Sequence, residues 1–181
     1  MREISTPFDD AAICSLNMGD MVLLSGTIFS ARDAAHKKLV ELIEAGRELP
    51  FAFTGQAVFY AGPAPAKPGR PSGSIGPTTA GRMDLYSPLL ISKGLKVMIG
   101  KGLRKPELTE AIIKHQGVYF AAIGGVAALM AKCVKASKLI AFEELGTEAI
   151  RELTVENLPL VVAIDRMGSN LYESGMAEYR R

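Results

Sequence analysis

The chain has 181 residues, 48% of them hydrophobic, and 21 basic against 19 acidic side chains leave a net charge of +2. That length suits one domain with a substantial core, and the scattered Lys and Arg residues argue against nucleic acid as a partner. No apolar run approaches the roughly 20 residues that cross a membrane, and the N-terminal MREISTPFDD lacks a signal-peptide core, so the expected location is the cytoplasm. The only cysteines, Cys14 and Cys133, and the only histidines, His36 and His115, show no metal-ligand spacing. Cys133, within an Ala-rich apolar segment, reads as a small buried hydrophobe.

Met21 to Phe29 predicts a strand that runs into Ser30-Ala31-Arg32-Asp33, a capped helix start with Ser30 as N-cap and Asp33 at the third helical position. Ala35, Leu39, Leu42 and Ile43 continue that helix at helical spacing, and Gly46 stops it. Arg32 therefore stands at a strand-to-helix junction, where free amides and the helix dipole favour anions. Phe51 to Ala61 reads as extended. Residues 62–76, GPAPAKPGRPSGSIG, read either as a linker or as a loop inside one domain; the loop is preferred, because a piece of ~60 residues is marginal as a core of its own.

Ser87-Pro88 either starts a short helix or kinks one begun near Ala80. Lys96 to Ile99 predicts a strand, Pro106 to Gln116 a helix stopped by Gly117, and Val118 to Ile123 a buried strand. Gly124-Gly125 makes a turn and Val126 to Lys132 a helix. Leu139–Phe142, Ile150–Val155 and Leu160–Ile164 read as strands, and Asp165 to Gly168 as a turn. Strands and helices alternate centrally and strands cluster at the end, so the expected fold is α/β, a mixed sheet flanked by helices, in a single domain over 1–181.

Gly76-Pro77-Thr78-Thr79-Ala80-Gly81-Arg82-Met83-Asp84 concentrates the chemistry of the chain: two hydroxyls, a guanidinium and a carboxylate on Gly- and Pro-shaped backbone. Gly76 and Gly81 allow positive φ or close approach to a ligand, and Arg82 offers paired donors to a planar oxyanion. Ser30-Ala31-Arg32, Thr78 to Arg82 and Ile99-Gly100-Lys101-Gly102 share one design, a cation among small residues after an apolar element. Taken singly, each cation reads as solvated surface. If the three converge, they make a pocket for a small dianion or dicarboxylate. Thr79 is expected to cap the following turn, Asp84 to pair with Arg82 or with a backbone amide, and His36 to be solvated or to support the pocket from behind.

GPTTAGRMD, followed by MIGKG, YFAAIGG, the AAK-C segment, FEELGTEAI and VENLPLVVAID, resembles the β subunit, or C-terminal domain, of class I iron–sulfur fumarate hydratases and tartrate dehydratases. The resemblance runs from SGTIFSARDAAHKK onward and implies a swivelling β/β/α-type domain. It implies a [4Fe–4S] cluster held by the cysteines of a separate α subunit, none being bound by this chain alone. The cluster's iron would act as Lewis acid on the leaving hydroxyl of a C4 dicarboxylate, in reversible hydration of fumarate to malate, a step of the tricarboxylic acid cycle. Carried over by position, Thr78 is the base, and Arg32, Arg82 and Lys101 bind substrate carboxylates. The enzyme would be a hetero-oligomeric hydro-lyase. The alternatives are the same chemistry on tartrate and a non-catalytic module that binds small anions.

Overall fold

The computed structural model describes residues 1–180. Seven strands form one sheet in the order β1 (Arg2–Ser5), β2 (Met21–Ser30), β3 (Ala57–Phe59), β4 (Val97–Gly100), β5 (Val118–Ala121), β7 (Ile150–Ile164) and β6 (Val134–Ala141). β7 also pairs antiparallel with β2, from Met21↔Val161 to Ser30↔Arg151, so β2, β3, β4, β5 and β7 close into a five-stranded barrel. The β2–β3, β3–β4 and β4–β5 pairs are parallel, which brings the C-terminal ends of four strands to one rim.

The short parallel strands β3, β4 and β5 are buried on both faces, which is why they read as continuous apolar runs; all four residues of β4 are enclosed. Their side chains alternate between two cores. Ala57, Phe59, Val97, Ile99, Val118 and Phe120 pack with the inward residues of β2 and β7. Val58, Tyr60, Met98 and Tyr119 pack instead against α2 (Asp33–Glu44), α3 (Ser87–Ser92) and α4 (Pro106–His115), through Leu39, Leu90, Leu108 and Ile112. Each fully buried Leu, Ile or Phe in these layers contributes roughly 1.5–3 kcal/mol by leaving water. The remaining helices are α1 before β2 (Asp10–Cys14), α5 (Ala127–Cys133) and α6 (Leu171–Tyr179). No helix among the described residues is long and apolar enough to cross a membrane.

Several local expectations need correction. The N-cap of α2 is Arg32, not Ser30, which belongs to β2 with its hydroxyl buried and without a partner among the described residues. Ile150–Val155 and Leu160–Ile164 are one strand, β7, carried through a bulge at which Asn157 adopts φ 53 and its backbone N–H donates to Ser25 Oγ at 3.0 Å. Gln116, not Gly117, is the left-handed residue that ends α4. Ser87-Pro88 starts α3 afresh, after a separate 3-10 turn over Ala80–Met83. Cys133 is half-buried, its Sγ lying 3.7 Å from the Asn157 carbonyl oxygen. Residues 62–76 form a loop folded on itself, Ala64 N–H donating to the Ser74 carbonyl at 2.9 Å, and it docks on α5 through Ile75 N–H and the Ala127 carbonyl at 3.2 Å. Strands β2 and β3 before this loop pair with β7 and β4 after it.

Candidate functional site

The rim formed by the ends of β2, β3, β4 and β5 carries the residues singled out in the sequence. Where the chains leaving β3 and β4 diverge, residues 78–80 insert between them. Thr78 N–H donates to the Tyr60 carbonyl at 2.7 Å, Lys101 N–H to the Thr78 carbonyl at 3.3 Å, and Ala80 N–H to the Lys101 carbonyl at 2.8 Å. Thr79 and Lys101 form a parallel bridge. The packing leaves no room for a side chain at Gly100, where a Cβ would stand 2.9 Å from Tyr60 Cδ2 and 3.0 Å from the Ala80 methyl. Backbone alternation places Thr78 half-buried and Thr79 exposed. Thr79 N-caps the 3-10 turn by its backbone alone, and the expected hydrogen bond between its hydroxyl and the turn is not made.

Arg82 and Lys101 are exposed, and among the described residues neither makes an ion pair or a side-chain hydrogen bond. Arg32 differs. Its Nη2 lies 3.1 Å from Glu148 Oε1 and 3.6 Å from Asp33 Oδ1, while Glu148 Oε2 accepts from Ala34 N–H at 3.4 Å. The anion position that the sequence predicts at the start of α2 is thus filled by the protein's own Glu148 carboxylate, at the end of the 3-10 segment Glu143–Glu148. Neither Gly76 nor Gly81 takes a positive φ. Gly76 instead allows close approach to α5, since a Cβ there would be 3.0 Å from the Ala127 methyl.

Asp84 does not pair with Arg82. Its Oδ1 accepts from Arg104 Nε at 2.7 Å and its Oδ2 from Lys105 N–H at 2.8 Å, and both side chains of the ion pair are closed from solvent. The Arg104 guanidinium lies 4.6 Å from the Tyr119 ring centroid and 5.3 Å from that of Tyr60. Burial works against its charge, but Tyr60, Asp84 and Tyr119 more than offset that and hold its pKa above the ordinary value. Gly102, left-handed at φ 87, is pinned on both sides: its N–H donates to the Tyr172 hydroxyl at 2.9 Å and its carbonyl accepts from Tyr119 at 3.2 Å. Arg104, Glu148, Tyr60, Tyr119 and Tyr172 are contributors that sequence reasoning missed.

His36 is fully buried rather than solvated. Its Nδ1–H donates to the Arg32 carbonyl at 2.8 Å, its ring packs edge-on against Tyr60 at 5.1 Å, and Nε2 has no partner among the described residues. Burial pulls its pKa down to about 4, and the Arg104 charge pushes the same way. The unfolded chain therefore takes this proton first as pH falls. The contribution of this group to stability should be fully present above pH 6.5 and be lost between there and about 4, by roughly 3 kcal/mol. Denaturant titrations across that window should show the slope, and His36→Asn, which keeps a donor near Nδ1 but does not titrate, should flatten it.

Beside the cationic rim lies a surface cavity of about 390 Å³, lined by Pro63, Ser72, Leu139, Glu143, Thr147 and Arg151 among others, but by none of Thr78, Arg82 and Lys101. The free cations stand on an open face instead. Leu85, Leu103 and Ile123, large apolar side chains at least half exposed, follow directly on Asp84, Gly102 and Ala122 in the chain. Among the described residues no three His, Cys, Asp or Glu side chains are grouped to hold a metal ion.

Residues 3–175 match the family model described as Fumarase C-terminus. The chain belongs to the fumarase C-terminal domain family. A class I, anaerobic fumarate hydratase of Escherichia coli is 47% identical over 152 residues, covering 83% of this chain and 28% of that protein. Fumarate hydratase 2 of Leishmania major is 42% identical over 162 residues, covering 88% and 28%. A Methanocaldococcus jannaschii protein named as an L(+)-tartrate dehydratase subunit beta is 40% identical over 164 residues, covering 87% of this chain and 84% of that one. This fumarase C-terminal domain spans 28% of the length of the two fumarate hydratases, but most of the separate β subunit.

Proposed function

We propose that this chain is the β subunit of a two-subunit hydro-lyase that interconverts malate and fumarate, active when an α subunit bearing a [4Fe–4S] cluster closes on the Thr78–Lys101 face. The observation that carries the reading is the meeting at one rim of a half-buried threonine and two cations, Arg82 and Lys101, that have no carboxylate partner among the described residues. Two cations suit two carboxylates. The exposed apolar side chains of Leu85, Leu103 and Ile123 in the adjoining segments suit a protein cover rather than open water.

In this reading the cluster is held by the α subunit and would supply Lewis acidity toward the departing hydroxyl. The share of the β subunit is to hold the dicarboxylate and to manage one proton. In malate dehydration that proton leaves the methylene carbon as hydroxide leaves its neighbour, giving fumarate and water. In this reading Thr78 Oγ1 receives it. A neutral hydroxyl is a weak base, so the role requires the cations of the rim to favour the deprotonated form of the hydroxyl and a carboxylate of the α subunit to take up the proton that it gives away. Arg32, already engaged by Glu148, binds a substrate carboxylate only by sharing or exchanging that partner.

Arg82→Lys tests the binding role, because a compact ammonium cannot reproduce the paired donors of guanidinium. In the reconstituted complex kcat/KM should fall by about tenfold or more, some 1.4 kcal/mol of transition-state binding, with an unchanged melting temperature. Unaltered activity would remove Arg82 from the site. A second reading, tartrate as substrate, is favoured by the near full-length match to a separate tartrate dehydratase β subunit. Comparing kcat/KM for malate and tartrate decides between the two.

A further inference from the structure

Beneath the rim, between the sheet and its helices, lies a buried polar cluster that the chemistry above does not use. At its centre, Asp84 accepts from Arg104 Nε with one oxygen and from Lys105 N–H with the other. Asp84 follows Arg82 by two residues, and Arg104 follows Lys101 by three. One carboxylate therefore joins the segment that carries the first free cation to the segment that carries the second. The guanidinium rests on Tyr119, whose hydroxyl holds the Gly102 carbonyl next to Lys101. It also rests on Tyr60, whose carbonyl holds Thr78 N–H and whose ring packs on His36, itself bonded to the Arg32 carbonyl. Arg104 Nη1 and Nη2 and His36 Nε2 have no hydrogen-bond partner among the described residues. All three flank the same tyrosine, two as donors and one, with Nδ1 protonated, as an acceptor.

Stability alone does not account for such a pair, because a buried ion pair is often matched or bettered by apolar residues of the same volume; its best-attested use is to fix register. With its side chain closed from solvent, Arg104 cannot touch a ligand on the rim. We propose that Arg104 is a positioning residue: through Asp84 it sets the separation of the Arg82 and Lys101 loops, and so matches the two free cations to the two carboxylates of the substrate. The inference rests on the dicarboxylate reading above.

The test replaces both partners at once, Asp84→Asn with Arg104→Gln, which keeps an amide hydrogen bond and leaves no unpaired buried charge. In the complex with the cluster-bearing subunit, KM for the dicarboxylate should rise by about tenfold, with a smaller change in kcat. Amide hydrogen exchange at Lys101, Gly102 and Lys105 should quicken by a similar factor, while β2 and β4 keep their protection. Arg104→Lys, which retains the charge opposite Asp84, should recover part of the KM. Crystal structures of the wild type and the double variant give a readout independent of turnover, a change of about 1 Å in the separation of the two loops, enough to degrade a positioned site. Wild-type KM and loop geometry in the double variant would overturn the proposal, and so would loss of protection spread over the whole barrel. If the wild-type complex turns over neither malate nor tartrate, the hydro-lyase reading falls, and exchange and loop separation still decide whether Arg104 sets the geometry of the rim.

Discussion

Thr78→Ala should remove most turnover of the reconstituted enzyme, about 10²–10⁴-fold in kcat, the usual cost of losing a general base. The fold should not notice. Thr78 is held by its backbone, through the Tyr60 carbonyl and Lys101 N–H, and its hydroxyl makes no hydrogen bond among the described residues, so alanine preserves every contact that inserts residues 78–80 between β3 and β4. Thr79→Ala is the matched control. Its side chain is exposed, caps nothing and points away from its neighbour, so both rate and melting temperature should stay close to wild type. Measuring kcat for the two variants with the cluster intact separates the roles. Near-normal turnover by Thr78→Ala would reduce the rim to a binding surface.

Asp84→Ala should be the most destabilising single change at the site. It strands the Arg104 guanidinium, with no solvent exposure, between two tyrosine rings. Removing one partner of a buried pair costs about 3–5 kcal/mol, and for a domain of this size that lowers the melting temperature on the order of 10 °C. An exposed pair offers the contrast. Lys37 and Glu41 face each other across one turn of α2 at 4.0 Å in solvent, and Glu41→Ala should cost no more than about 0.5 kcal/mol. Denaturant unfolding of the two variants checks the difference. Similar, small losses would show that water reaches Arg104 more readily than its burial implies.

The elements that the sequence revealed are those whose local signals and tertiary setting agree. β4 is an apolar run because both its faces are covered, β2 is closed from solvent over its last three residues, and α4 carries Pro106 at its start. β7 broke into two predicted strands because Glu156-Asn157 looks like a turn; pairing with β2 carries the strand through them as a bulge. His36 was legible and passed over: with Leu39, Val40 and Ile43 it recurs at helical spacing on the apolar stripe of α2, which places it inside. The cap signals of α1 and α6 were present too, Asp9 accepting from Ala12 N–H and Asn170 from Tyr172 N–H. Missing α6 hid Tyr172, which fixes Gly102. Nothing local joins Asp84 to Arg104 across twenty residues, or Glu148 to Arg32 across more than a hundred. Those pairs exist because the barrel brings loop ends together, and motif spacing along the chain does not encode that proximity.

The most direct measurement mixes the purified chain with an α subunit carrying an intact [4Fe–4S] cluster and follows malate dehydration, alongside iron and sulfide analysis of each component. The account predicts an iron-free β chain without activity, an α subunit with little or none, and turnover of malate or tartrate when the two combine. A cluster with turnover in this chain alone, or an α subunit fully active without it, would contradict the account.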